Sequence, residues 1–351
     1  MFCGIIIIAL SLCADAYGER TLNLAMGDNN GRNNIEAKKL TLVGHFPTEK
    51  EEVQGVYLAK PAALAEVHDG NLYVADNGAR DIKVFQPTGK YLFKFGAGGQ
   101  GPGEFEGPRK IMNSGSKIIV FDSRRFMLQY FSLDGRYERG VKLLQPYSDI
   151  AVNEKGLIIA ARMPRRPIAH LVDVLDEQGA LLYSFGNPVS ISGIQESYIN
   201  QVQLDIDEQG NVLVIFMTIA LLRKYGIDGR LLNESKFEDS PGNAINKEEN
   251  DNLKNLRRAS VERSPYRRLF DEIKSNNRYV YALRNLRDCL QIIELDDSLA
   301  IRNVYEYPVP GNYNYLAADL LVINKDSRVF FYALQVFPSA RIDILVAAEP
   351  H

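Results

Sequence analysis

A unit of short, alternating apolar segments returns six times between residues 71 and 345. Its first copy runs Asn71-Leu-Tyr-Val-Ala-Asp76, then Ile82-Lys-Val-Phe85, then Lys90-Tyr-Leu-Phe-Lys-Phe95, with Asn77-Gly-Ala-Arg80-Asp81 and Gln86-Pro-Thr-Gly89 between. Period-two alternation bounded by Gly, Asn, Asp and Pro marks strands joined by tight turns. Further copies stand at 117–135, 157–179, 211–229, 279–297 and 328–345. The turn glycines Gly89, Gly135, Gly179 and Gly229 are separated by 46, 44 and 50 residues. That length holds four strands, and radial repetition of four-stranded sheets is a β-propeller. The fold class is therefore all-β, a six-bladed β-propeller. The sixth copy lacks its outermost strand. Lys39-Leu-Thr-Leu-Val-Gly-His-Phe46 has the right alternation, and its ending resembles Lys94-Phe95. The N-terminal strand is thus expected to close the ring, which removes an open sheet edge.

Composition agrees. With 46% hydrophobic and 24% charged residues the chain is globular, not disordered, collagen-like or a disulfide mini-protein. A prior of roughly 150 residues per domain would divide 351 residues in two. The repeat instead assigns 37–349 to one propeller. One segment, 238–272, breaks the period between the fourth and fifth copies. Asn246 to Ala259 has helical composition, with Arg257-Arg258 near its end as a helix dipole favours. It reads as a helical excursion over one face.

The apolar run Phe2–Leu12 is shorter than the roughly 20 residues of a membrane-spanning helix. It matches the apolar region of a signal peptide, with Ala14-Asp15-Ala16 as the cleavage site, although no basic leader precedes it. Leu10-Ser11-Leu12-Cys13 offers a rival processing site, a lipobox with a lipid anchor at Cys13. The expectation is export to the periplasm, cell surface or medium: a signal peptide over 1–16, a flexible tether over 17–36 and no transmembrane span. The mature chain then keeps one thiol, Cys289, read as a half-buried strand residue.

Residues 71–108 resemble an NHL-repeat unit: a strand ending Val74-Ala75-Asp76, a basic residue (Arg80, one place early), Ile82-Lys-Val-Phe85, Gly89 and a Phe-Gly-rich linker. From 37 to 349 the chain is similar to bacterial exported six-bladed NHL-like propellers. The resemblance implies the fold strongly and the task weakly, because propellers serve both as binding modules and as enzymes. The amidating lyases among NHL-type enzymes hold metal through channel histidines. Here His45, His68, His170 and His351 do not recur in an inner-strand register, so no metal is expected. Gly96-Ala-Gly98-Gly-Gln-Gly101 spells a dinucleotide fingerprint, but Pro102-Gly103 follows where a helix must open. It reads as an inter-blade linker, and no cofactor is expected.

Loops between the second and third strands leave on the same face as the links between blades. They carry Arg80, Arg124, Arg125, Arg162, Arg165, Arg166, Arg284 and Arg287, with Arg341 in the last copy. The other face receives Asp69, Asp134, Glu154, Asp176, Asp228 and Asp296. A net charge of −3, from 41 basic and 44 acidic residues, thus divides into a basic and an acidic face. The bland account is that arginines pair with the strand-ending Asp76 and Asp122 while acidic turn residues make Asx turns. The functional account is that the arginine face docks an anionic glycan, peptide or protein through forked guanidinium donors. The sequence-level expectation is a non-enzymatic binding or scaffold propeller of this kind. The alternative is a lyase or hydrolase with a polar site at the channel mouth, with or without a metal. Export argues against nucleic acid as the partner.

Overall fold

The computed structural model describes residues 35–67, 69–114, 116–164, 168–237, 244–258, 267–309, 316–326, 328–337 and 339–347. Six blades of four antiparallel strands make up the fold: blades one to four are separate sheets, and blades five and six share one eight-stranded sheet. From first to fourth strand, blade one is Pro61–Glu66, Leu72–Asp76, Asp81–Phe85 and Tyr91–Phe95. Blade two is Pro108–Ser114, Lys117–Asp122, Met127–Ser132 and Tyr137–Lys142. Blade three is Tyr147–Val152, Ile158–Arg162, Val172–Leu175 and Leu181–Phe185. Blade four is Val202–Ile206, Val212–Phe216, Leu222–Tyr225 and Leu231–Ser235. Blade five is Glu272–Asn276, Tyr279–Asn285, Cys289–Leu295 and Ile301–Pro308. Blade six has Leu316–Lys325, Arg328–Phe337 and Arg341–Ala347.

Its fourth strand is Ala37–Phe46, from the other end of the chain. Leu40 pairs with Ala347 and Phe46 with Ile342 in an antiparallel ladder. The same strand begins by pairing in parallel with blade five, Ala37 opposite Val304, so it laces two blades together.

The core lies in the gaps between blades. Alternate residues of one strand fill opposite gaps, which is why Leu72–Asp76 is buried throughout. Tyr73 and Ala75 pack toward blade two, while Leu72 and Val74 pack toward blade six. Among the described residues there are six such apolar clusters, one per gap. Each buried aliphatic or aromatic side chain contributes about 1.5–3 kcal/mol.

The period-marking glycines have a packing reason. At Gly89, Gly135 and Gly229, φ lies between 81° and 88°. A Cβ there would also meet the aromatic ring that ends the preceding blade's fourth strand: Phe46 at 2.9 Å, Phe95 at 2.7 Å and Phe185 at 2.7 Å. Phe46 of the closing strand therefore seats on blade one as Phe95 seats on blade two.

Between blades four and five lies a helix, Ala244–Arg258. Ile245 enters the gap between blades four and five, and Leu256 packs against the gap between three and four.

Candidate functional site

The predicted arginines separate by burial. Arg80, Arg124 and Arg287 are exposed on the expected face. Arg162 is half-buried and pairs with Asp173 at 3.5 Å. Arg125 is engaged within the fold: its guanidinium donates to the carbonyls of Gln100 (2.6 Å), Glu104 (2.8 Å) and Gly101 (3.2 Å), rivetting the glycine-rich linker to blade two. Arg284 corrects the sequence expectation most sharply. It is 1% exposed, and donates to the Leu269 carbonyl (3.0 Å), Gln291 (2.5 Å) and Glu248 of the helix (2.8 Å). Near its strand's end this arginine anchors the inserted helix through Glu248, which no local pattern announces. Arg165 and Arg166 lie outside the described residues.

The strand-ending aspartates do not pair with these arginines. Asp76 accepts the amides of Ala59 (2.7 Å) and Lys60 (2.9 Å) and the Lys83 ammonium (2.9 Å). Against the upward push of burial, those donors hold its carboxyl below the usual range. Asp122 likewise accepts from Glu106 (2.9 Å) and Gly107 (3.0 Å), so each fixes the incoming linker. The acidic face is built largely of Asx turns: Asp69, Asp176, Asp207, Asp228 and Asp296 each accept a backbone amide two residues on.

Around the axis runs a charged belt that the sequence reading missed. First strands place Ala63, Lys110, Asp149, Gln203, Glu272 and Asp319 at one level, each just before a buried aliphatic residue. In blades one, two, three and six a β-bulge falls at this point. Bulges re-aim side chains. Lys110 of blade two donates to both oxygens of Asp149 of blade three (2.9 and 2.8 Å) and to the Leu204 carbonyl of blade four (3.0 Å). Asp149 also accepts the Leu204 amide (2.8 Å), Asp205 the Ser275 amide of blade five (2.5 Å), and Asp319 the Leu64 amide of blade one (2.8 Å). Lys274 of blade five pairs with Asp319 of blade six at 2.9 Å. The belt thus passes from blade two through six to blade one.

Glu272 is the exception in this belt. It is 8% exposed, and among the described residues its carboxyl accepts only the adjacent Ile273 amide, at 3.1 Å. Burial pushes its carboxyl up to about 8, against the pull of Lys110 and Lys274. The pattern Lys110-Ile111, Asp149-Ile150, Glu272-Ile273, Asp319-Leu320 was visible in sequence, once first strands were aligned.

Above the belt, on the arginine face, opens a cleft of about 380 Å³. Arg109 and Arg268 stand at its mouth, and Val202, Gln203 and Met217 lie buried at its base. Arg109 and Ser148 are the bulge residues of blades two and three, which turns both toward the cleft.

Among the described residues no group of three or more His, Cys, Asp or Glu is placed to hold a metal ion. His45 and His170 are half-buried and far apart in the fold's order; His68 and His351 lie outside the described residues. Cys289 is half-buried, and burial pushes its thiol up to about 12, which leaves no thiolate at neutral pH. The linker after Gly96 forms a two-residue bridge, Ala97–Gly98 with Glu104–Phe105, and opens no helix.

Comparison with known proteins agrees with this architecture. The family model of DUF5128, described as a 6-bladed beta-propeller, matches residues 57–158. The fold is an all-β, six-bladed propeller. A putative exported protein from Bacteroides fragilis superposes with a TM-score of 0.55 at 14% identity, covering 93% of this chain and 98% of that one. A member of the DUF4221 family from Bacteroides vulgatus gives 0.54 at 12%, covering 89% and 98%. A catalytically inactive virginiamycin B lyase from Staphylococcus aureus, with quinupristin, gives 0.52 at 11%, covering 88% and 100%. At such identities the likeness is one of fold. Among curated proteins, Protein brain tumor of Drosophila melanogaster is 24% identical over 156 residues, 43% of this chain. The match spans 15% of that protein's length, so the likeness to NHL repeats is loose. No helix among the described residues is long and apolar enough to cross a membrane.

Proposed function

We propose that the chain is an exported binding propeller that receives an anionic glycan, peptide or protein on its arginine face. The observation that carries this reading is that Arg80, Arg109, Arg124, Arg268 and Arg287 are all exposed there, at strand ends or in loops. The guanidinium groups of Arg80, Arg109, Arg268 and Arg287 make no hydrogen bond or ion pair among the described residues, and that of Arg124 makes one long contact of 3.5 Å to the Glu106 carbonyl. Unpaired guanidinium groups on a rigid scaffold suit carboxylate, sulfate or phosphate, because the fork donates two parallel hydrogen bonds to such groups. Export is supported by the N-terminal apolar run with its Ala-Asp-Ala sequence, and by the description of one fold neighbour as a putative exported protein.

The experiment is an array of acidic glycans and acidic peptides probed at low salt with wild type and with Arg80→Ser/Arg124→Ser/Arg287→Ser. The reading expects binding to weaken by about tenfold or more, and to weaken in wild type as salt rises. An unchanged profile overturns it. A second reading, a lyase or hydrolase at the channel mouth, is favoured by one feature, the Glu272 carboxyl of the axial belt, which burial pushes up to about 8. A stoichiometric zinc or calcium ion that survives dialysis would favour it over the first.

A further inference from the structure

The cleft on the arginine face has a construction that the exposed arginines around it lack. Its walls are stitched across three segments by backbone hydrogen bonds: the Met217 amide donates to the Gln201 carbonyl (2.9 Å), and the Leu269 amide donates to the Met217 carbonyl (2.7 Å). Thr218 adds a bond from its hydroxyl to the Tyr198 carbonyl (2.8 Å). At the far wall Asn252 of the helix grips Arg267 by both backbone groups, donating to its carbonyl (2.6 Å) and accepting from its amide (3.0 Å). Arg268 therefore follows a residue that is held on both sides. Across the cleft Arg109 is set by the bulge at the start of blade two. Neither guanidinium has a hydrogen-bond or ion-pair partner among the described residues.

The lining is divided by polarity. Met163, Pro164, Val202 and Met217, with Tyr198, supply an apolar wall, and Gln203 and Ser148 supply polar atoms. Methionine surfaces adapt to irregular apolar bodies. A volume of about 380 Å³ lies within the range of small-molecule sites and is too small for a folded partner.

We infer that this cleft is a preformed site for a small amphipathic anion, a carboxylate, sulfonate or phosphate carried on an apolar or aromatic body. Arg109 and Arg268 take the anionic head at the mouth. The apolar body packs on Met163, Met217 and Tyr198. The helix acts as a positioning element, through Asn252. This rests on the anion-binding reading of the arginine face and narrows it to one place and one ligand class.

The probe is 8-anilinonaphthalene-1-sulfonate, with its neutral relative N-phenyl-1-naphthylamine as the control for apolar binding alone. The inference expects one sulfonate probe per chain, and about tenfold or greater loss of its affinity in Arg109→Ser/Arg268→Ser. The neutral probe should bind both proteins equally, which a collapsed cleft would not allow. Asn252→Ala should weaken the sulfonate probe and leave the neutral one unchanged, whereas Arg80→Ser/Arg124→Ser/Arg287→Ser should change neither. Sulfonate affinity within about twofold of wild type in the Arg109/Arg268 variant overturns the inference. So does binding of several probes per chain that no cleft substitution alters, which would place them on the exposed Leu181, Leu182, Leu231 and Leu232 of the outer strands. If the array profile proves insensitive to the arginine face while the cleft variant still loses the sulfonate probe, the macromolecular reading fails and the small-anion site stands.

Discussion

The axis and the rim of this propeller carry the same kinds of charge and use them in opposite ways. On the axis, Lys110, Asp149 and Asp319 are nearly sealed from solvent, Lys274 is half-buried, and each is paired. Their carboxylates also take backbone amides of a neighbouring blade, so removing one group strands others. At the rim of the cleft and in the loops of the arginine face, Arg80, Arg109, Arg268 and Arg287 are exposed, and their guanidinium groups make no hydrogen bond or ion pair among the described residues. Buried charge is tolerated only when satisfied, whereas exposed charge is cheap to keep and available to a ligand. Arg125 and Arg284 show that residue type and loop position do not decide which role applies. Arg125 lies in the turn after a second strand and Arg284 near the end of one, and both belong with the axis in behaviour.

The largest effect expected is from Asp149→Ala. It leaves the Lys110 ammonium and the Leu204 amide without their acceptor, at a cost of about 3–5 kcal/mol in urea unfolding. A loss no greater than a surface substitution gives would dissolve the contrast between axis and rim.

Glu272 sharpens the contrast through pH. Its carboxyl titrates near 8 in the fold and near 4.5 in the unfolded chain, so the native state binds the proton more tightly. Stability from this group is complete below about 4.5 and is lost as pH rises toward about 8. Glu272→Gln should therefore remove part of that decline and be more stable than wild type at pH 9, by about 2–4 kcal/mol. Parallel stability–pH curves for the two proteins would contradict the assignment. Smallest of all, serine at Arg80, Arg124 or Arg287 should change unfolding free energy by no more than about 0.5 kcal/mol each.

Much of the fold was legible because blade strands are short, alternating and punctuated. Gly89, Gly135, Gly179 and Gly229 mark the period, and Phe46 repeats the part played by Phe95, which identified the closing strand. The arginine face was legible only as topology. That second-to-third loops share a face follows from an antiparallel meander, but whether Arg284 reaches solvent depends on Glu248, 36 residues away in sequence. The axial belt was missed for a different reason. First strands such as Pro108–Ser114 mix charge with apolar residues and imitate a solvated edge, and only the closed ring turns Lys110 and Asp149 inward. Arg109 passed unnoticed because its direction is set by a bulge, a one-residue irregularity that leaves no mark in composition.

The most direct test of the central claim is calorimetric melting of wild type, Asp149→Ala and Arg109→Ser/Arg268→Ser, each with and without saturating 8-anilinonaphthalene-1-sulfonate. The account predicts that the axial variant melts several degrees lower yet keeps the ligand-induced rise. It predicts that the rim variant keeps the wild-type melting temperature and loses the rise. Melting temperature and ligand response falling together in both variants would contradict it.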